Sequence, residues 1–255
     1  MKSFLNLRED LACSLSLLTR FPTHWLNTSH SQWSLQRSTW CWPIIGSLIG
    51  AIGGSIFDLL YSQNASPLLA ATWGISSQIL ISGALHDDGL ADTADGYGGG
   101  FEKTRRLDIM RDSQIGSYGT LALIMSFGIR VTALASLPFS AVLPSLIVTS
   151  ALARTSLPII PFTTSPAREN GIAHQLKSLT KDHVLACCFI GLCIALLNLP
   201  ACAALSAYFI TLLITALSRT IALRLISGYT GDILGANTIA IECILLSFFA
   251  IYFQG

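Results

Sequence analysis

Only 11% of the 255 residues are charged, 15 Lys and Arg against 14 Asp and Glu, while 52% are hydrophobic. Mean hydropathy is +0.60. A soluble domain carries about a quarter charged residues and a disordered chain far fewer apolar ones, so both classes are excluded. The net charge of +1 gives no global field for nucleic acid, and no nucleic-acid partner is expected. What remains is an all-α polytopic membrane protein whose main partner is the lipid bilayer.

The N-terminal stretch from Phe4 to Phe21 places Phe4, Leu7, Leu11, Leu15 and Leu18 at spacings of three and four, with Arg8, Glu9 and Asp10 among them. That pattern predicts an amphipathic helix lying on the membrane or covering the bundle. Its acidic residues argue against a signal peptide. Seven uniformly apolar runs follow, at about 39–60, 67–86, 119–137, 139–161, 183–199, 201–218 and 237–253. Apolar runs without alternation predict helices rather than barrel strands. Pro43, Pro67, Pro138, Pro158, Pro161 and Pro200 fall near their ends, where a missing N–H costs least. The seven cysteines form no CxxC pair and lie mostly in apolar runs, so they read as small packing residues. No repeat appears, and one integral membrane domain over 1–255 is expected.

Charge sets the orientation. Lys2, Arg8, Arg20 and Arg37 precede the first span. Lys103, Arg105, Arg106 and Arg111 follow the second, Arg168, Lys177 and Lys181 the fourth, and Arg219 and Arg224 the sixth. The intervening short loops carry no Lys or Arg. With seven spans every basic loop falls on one side, which the positive-inside rule makes cytoplasmic. All five histidines and every acid except Asp58 and the intramembrane Glu242 fall there too. The chemistry is therefore expected to face the cytoplasm.

The densest cluster runs from His86 to Gly100, where the second span ends. Asp88, Asp92 and Asp95 are spaced so that a helix puts them on one face. Three close carboxylates repel unless a cation neutralises them, and an all-oxygen set suits Mg²⁺, Mn²⁺ or Ca²⁺ rather than zinc. The bland alternative is a solvated acidic helix end, but the intervening residues are Gly, Ala, Leu and Thr rather than Lys. Asp108 and Asp112 form a second acidic pair beside Arg105 and Arg111, which can bind phosphate or simply pair with the acids. Six aspartates between 87 and 112 exceed what one Mg²⁺ uses, so two ions, or one ion plus a base, both fit.

Two arginines lie inside spans, where charge is costly and by default functional. Arg154, near the cytoplasmic end of the fourth span, is expected to reach a substrate phosphate. Arg130, deeper in the third, is expected to be structural, toward Asp58. Two further loops, Ser165–Gly171 and Gly228–Asn237, look built for ligand. Gly228, Gly231 and Gly235 permit close backbone approach, and Asp232 and Asn237 lie among them.

Together these segments resemble the cobalamin (5′-phosphate) synthase family, also called adenosylcobinamide-GDP ribazoletransferase. The resemblance rests on His86-x-Asp88-Gly-Leu-Ala-Asp92-Thr-x-Asp95-Gly, Ile109-Met-Arg-Asp112-Ser-x-Ile-Gly116, Ala167-Arg168-x-x-Gly171 and Gly228-Tyr-Thr-Gly-Asp232-x-Leu-Gly-Ala236. Leu18-Thr19-Arg20-Phe21-Pro22 and Trp42-Pro43-Ile44-Ile45-Gly46 add its N-terminal pattern, and the order holds from about 17 to 246. Asp87 stands where family members often carry an apolar or variable residue, which favours Asp88 as the ligand.

The resemblance implies a Mg²⁺-dependent enzyme of the bacterial inner membrane. Adenosylcobinamide-GDP and α-ribazole, or its 5′-phosphate, would give adenosylcobalamin, or its 5′-phosphate, and GMP. Displacement at a pyrophosphate calls for metal and arginine. Asp88, Asp92, Asp95 and Asp112 are the expected Mg²⁺ ligands. Arg111, Arg154 and Arg168 are the expected phosphate contacts. Asp232 and Asn237 are expected to hold a nucleoside or the corrin side chains. Asp88 or His86 is the expected general base, His86 standing equally as a partner that orients Asp88. A homo-oligomer is compatible with all of this.

Two other readings stay open on the residues alone. CDP-alcohol phosphotransferases carry Asp-Gly-x-x-Ala-Arg, but here Ala91, Asp92 and Thr93 stand where that motif has its second x, Ala and Arg. A divalent-cation transporter would place its ligands near the bilayer midplane, whereas these acids cluster at the cytoplasmic end.

Overall fold

A computed structural model describes residues 2–26, 33–169 and 171–254; within these the side chains of residues 2–6, Trp25, Ile172 and Ala173 lie outside the described ones. No strand forms among the described residues, only an isolated bridge between Pro166 and Tyr229. The helices are α1 (Lys2–Leu18), α2 (Leu35–Ser38), α3 (Trp42–Ser62), α4 (Pro67–Ser82), α5 (Leu85–Gly99) and α6 (Lys103–Ile109). They continue with α7 (Ser117–Ala135), α8 (Phe139–Thr155), α9 (Ile159–Thr163), α10 (Lys181–Asn198), α11 (Ala201–Ile226) and α12 (Gly231–Tyr252). Six helical segments are long and apolar enough to cross a membrane, and a seventh is counted if α4 and α5 are taken together.

That pair is where the expected spans change most. The run 67–86 is not one straight helix. Gly83 and Ala84 both take left-handed backbone, at φ of 63° and 56°, and α5 turns 89° away from α4. Glycine adopts that conformation freely, whereas Ala84 holds it against its own Cβ. The 16 residues of α4 give a crossing of about 24 Å at 1.5 Å per residue, and α5 carries the acids sideways. The last two spans are longer than expected on the charged side. α11 runs to Ile226 and α12 starts at Gly231, capped by the Thr230 hydroxyl.

α8 with its continuation α9 is the central segment, 78% buried, whereas α10 at the rim is only 17% buried. α3 packs on α8 through Gly46 and Gly50, where any Cβ would run into the Ser150 and Leu146 carbonyls. Small residues at this spacing are how membrane helices approach backbone to backbone. Gly50→Val is accordingly expected to destabilise by about 1–3 kcal/mol or more, read as a lower melting midpoint in detergent. Gly128→Ala, with open space at its Cβ, is the matched control and should leave the midpoint unchanged.

α1 covers the bundle. Arg37 meets Asp10 at 2.6 Å and Glu9 at 3.1 Å, Trp40 Nε1 donates to Asp10 at 3.0 Å, and the Ser14 hydroxyl donates to the Ser38 carbonyl. The acids that break its apolar pattern thus pin it to the segment leading into α3.

Candidate active site

The two loops expected to bind ligand are joined to each other. Ala167 N–H donates to the Tyr229 carbonyl at 2.8 Å, and Tyr229 N–H to the Ser165 carbonyl at 3.2 Å. Gly228 serves this joint, since a Cβ there would strike Ser165 and Ala167. Gly235 packs against Gly89 and His86, letting α12 cross α5 closely, while Gly231 and, in the other loop, Gly171 face open space. The glycines therefore bring backbone to backbone more than backbone to ligand. Their effect is to set Asp88, on α5, near Asp232, in the first turn of α12.

Two cavities open beside this crossing. One, of about 290 Å³, is walled by α1, the starts of α3, α5 and α12, and the 157–176 segment. His86, Asp88, Arg168, His174 and Asp232 are its polar lining. The other, of about 410 Å³, is lined by Asp87, Asp88, Asp92, Arg111 and Asp112. Asp88 lies on both. Arg168 stands 3.7 Å from Asp232 and donates to the Leu107 carbonyl at 2.7 Å, which ties the 165–171 loop to α6.

Asp95 is placed differently from its neighbours. It is buried, and its two oxygens accept the Gly116 and Gly119 N–H groups at 2.7 and 2.9 Å. It thus caps the start of α7, satisfying orphan donors there. Asp95→Ala is expected to cost about 1–2 kcal/mol of stability, whereas a loss of rate at unchanged melting midpoint would return Asp95 to the chemistry.

Asn237 is likewise inside, donating to the Ser156 hydroxyl at 2.9 Å, and lines neither cavity. Arg154 also lines neither; its Nη1 donates to Glu242, while its buried Nε has no partner. Arg130 does not pair with Asp58. It reaches Asp87 at 2.5 Å and Glu242 at 2.9 Å. Asp87 and Glu242 are the residues the sequence reading passed over. An intramembrane acid facing two intramembrane arginines was the available signal, since none of the three tolerates isolation in a membrane.

Among the described residues no three His, Cys, Asp or Glu side chains form a ready-made metal cage. The donor set still suits Mg²⁺, which takes one or two carboxylates and completes its shell with water and substrate phosphate. Asp92 carries the mark of uncompensated charge. Burial first, then the charges of Asp88, Asp232 and Asp95, push its carboxyl up to about 6. A cation in the acidic cavity would relieve that repulsion.

A bundle of apolar crossing helices with paired cavities, one rich in carboxylate and both carrying arginine, is that of a polytopic helical membrane protein with a charged site. The chain belongs to the cobalamin-5-phosphate synthase family, whose pattern matches residues 10–250. It is 35% identical to the adenosylcobinamide-GDP ribazoletransferase of Bradyrhizobium diazoefficiens, over 98% of this chain and 96% of that protein. It is also 35% identical to the same-named protein of Sinorhizobium medicae, over 95% and 96%. The Allorhizobium ampelinum relative is 34% identical over 90% and 91%. No solved structure matches.

Proposed function

We infer that the chain joins adenosylcobinamide-GDP to α-ribazole, or to α-ribazole 5′-phosphate, and releases GMP. The observation that carries this is the near full-length match to relatives bearing the ribazoletransferase name, in a chain whose acids and arginines wall two adjoining cavities.

The ribose hydroxyl of the acceptor attacks the phosphorus on the cobinamide side of the pyrophosphate. A new P–O bond forms, the bond to the GMP phosphate breaks, and the hydroxyl proton leaves. Asp88, on the wall both cavities share, is placed to take that proton. His86, two residues before Asp88 and on the same cavity, is the other candidate base or orients Asp88. Arg111 and Arg168 hold phosphate oxygens from the two sides. Mg²⁺, held by Asp88, Asp92 and Asp112 when bound, supplies charge stabilisation at the non-bridging oxygens and the leaving phosphate. The protein sits in the bacterial inner membrane with both cavities toward the cytoplasm, where the basic residues Lys103 to Arg111 lie.

Incubating detergent-solubilised protein with adenosylcobinamide-GDP, α-ribazole and Mg²⁺ tests the activity, and absence of GMP would overturn it. For the topology, a cysteine placed at position 103 in a cysteine-free chain should resist labelling from outside spheroplasts.

A further inference from the structure

The corner between α4 and α5 is held from outside, by the turn that follows α1. The last carbonyls of a broken helix need donors. Ala84 N–H supplies Ile79 at 2.9 Å and Gly83 N–H supplies Leu80 at 3.1 Å. The Ile81 carbonyl is taken by Arg20 N–H at 2.7 Å. The turn that delivers Arg20 is itself fixed. Buried Thr19 donates from its N–H and its hydroxyl to the Leu15 carbonyl, at 2.9 and 2.7 Å, and its hydroxyl accepts from Phe21 N–H at 3.2 Å.

The Arg20 side chain then crosses Gly83. A Cβ at position 83 would stand 2.9 Å from Arg20 Cγ and Cδ and would overlap Nε. Arg20 thus fills the space that a glycine at 83 leaves open. It makes no ion pair among the described residues, so what it supplies at Gly83 is the bulk of its stem. Next to Gly83, Ala84 is held left-handed at φ 56°. A residue with a Cβ keeps that conformation only where its surroundings impose it.

The corner leads straight to the site. Asp88 N–H donates to the Ala84 carbonyl at 2.9 Å. Ala84 lies on the acidic cavity. Leu17 and Leu18, just before the turn, share the wall of the smaller cavity with Leu85, His86 and Asp88. Direct contacts therefore run from Arg20 to Gly83 and Ala84, and from Ala84 to Asp88.

We propose that Arg20 is a positioning residue. Its stem, laid across Gly83, sets the angle at which α5 leaves α4, and so places Asp88 on the wall between the two cavities. The effect on rate rests on the transferase reading above; the effect on the corner does not.

The test uses the full-length chain in nanodiscs. For the corner, nitroxides are attached at Leu69→Cys on α4 and Gly99→Cys on α5, both exposed positions, in a cysteine-free background, and their separation is read by pulsed EPR. Two variants divide the stem from the charge. Arg20→Ala removes both. Arg20→Met puts Cγ, Sδ and Cε where arginine has Cγ, Cδ and Nε, and lacks only the charged fork. Wild type and Arg20→Met should give one narrow distance, and Arg20→Ala a broadened distribution. Without labels, Arg20→Ala should lower kcat at least about tenfold, as a misplaced reacting group does, with KM for both substrates changed less than about twofold. Arg20→Met should keep at least about half of the wild-type kcat. If Arg20→Ala fails to fold, Gly83→Ala, whose Cβ pushes the Arg20 stem aside, is read in the same assays and should broaden the distance and slow turnover alike. The proposal is overturned if Arg20→Ala keeps the narrow distance, whatever its rate. It is equally overturned if Arg20→Met is as slow as Arg20→Ala at the wild-type distance, which would make the fork, and not the stem, the working part. Failure of wild type to release GMP would sink the transferase reading instead, and the distances would still decide the corner.

Discussion

Asp92→Asn is expected to lower turnover at least about a hundredfold, roughly 2.7 kcal/mol of transition-state stabilisation, while raising the melting midpoint of the metal-free protein. The two effects have one cause. Asp92 lies half-buried among like charges, and burial with those charges lifts its carboxyl to about 6. A neutral amide removes the repulsion, so the fold gains. It also removes a ligand for the cation that the pyrophosphate chemistry requires. Asp88→Asn should match the loss of rate. Its gain in stability should be smaller, because Asp88 is exposed and solvent screens its charge. Rates are to be measured per unit of monodisperse protein across a Mg²⁺ series. If Asp92→Asn kept more than a tenth of the rate at saturating Mg²⁺, Asp92 would be a structural acid.

What the sequence made legible follows from periodicity and charge. The amphipathic α1, the crossing helices and the gathering of acids at one end all rest on repeating patterns that a linear reading can sum. The bend at Gly83 and Ala84 was hidden, because the apolar run continues through it and alanine gives no hint of left-handed backbone. Side-chain partners were hidden for a different reason. Asp88, Asp92 and Asp95 share a helical face by spacing, yet Asp95 is drawn off by the α7 amides 21 and 24 residues later. Neighbouring Asp87 turns to an arginine 43 residues away. Spacing fixes which face a residue is on, and tertiary contact decides what it meets there. Trp42 was legible as part of a family motif, but its place on a cavity wall depended on α1, α5 and α12 converging there.

Glu242→Gln is expected to cost about 3–5 kcal/mol of stability, because it breaks a buried charge network. Asp87, Arg130, Arg154 and Glu242 come from α5, α7, α8 and α12, and every one is at most 8% exposed. Glu242 accepts from both arginines, and Asp87 from Arg130. The set is neutral, two positive against two negative, which is what allows it to stay charged away from water. Glutamine at 242 leaves one buried guanidinium charge uncompensated. The compensating variant is Glu242→Gln with Arg154→Met, which restores neutrality and should recover most of the midpoint lost by Glu242→Gln alone. Activity separates the two roles open to Arg154. If it serves the network, rate per folded enzyme should return with stability in the double variant, as its position off both cavity walls implies. If it grips a substrate phosphate, the double variant should be stable and still at least about tenfold slow, roughly 1.4 kcal/mol. That second outcome would require α8 to shift toward the cavities when substrate binds.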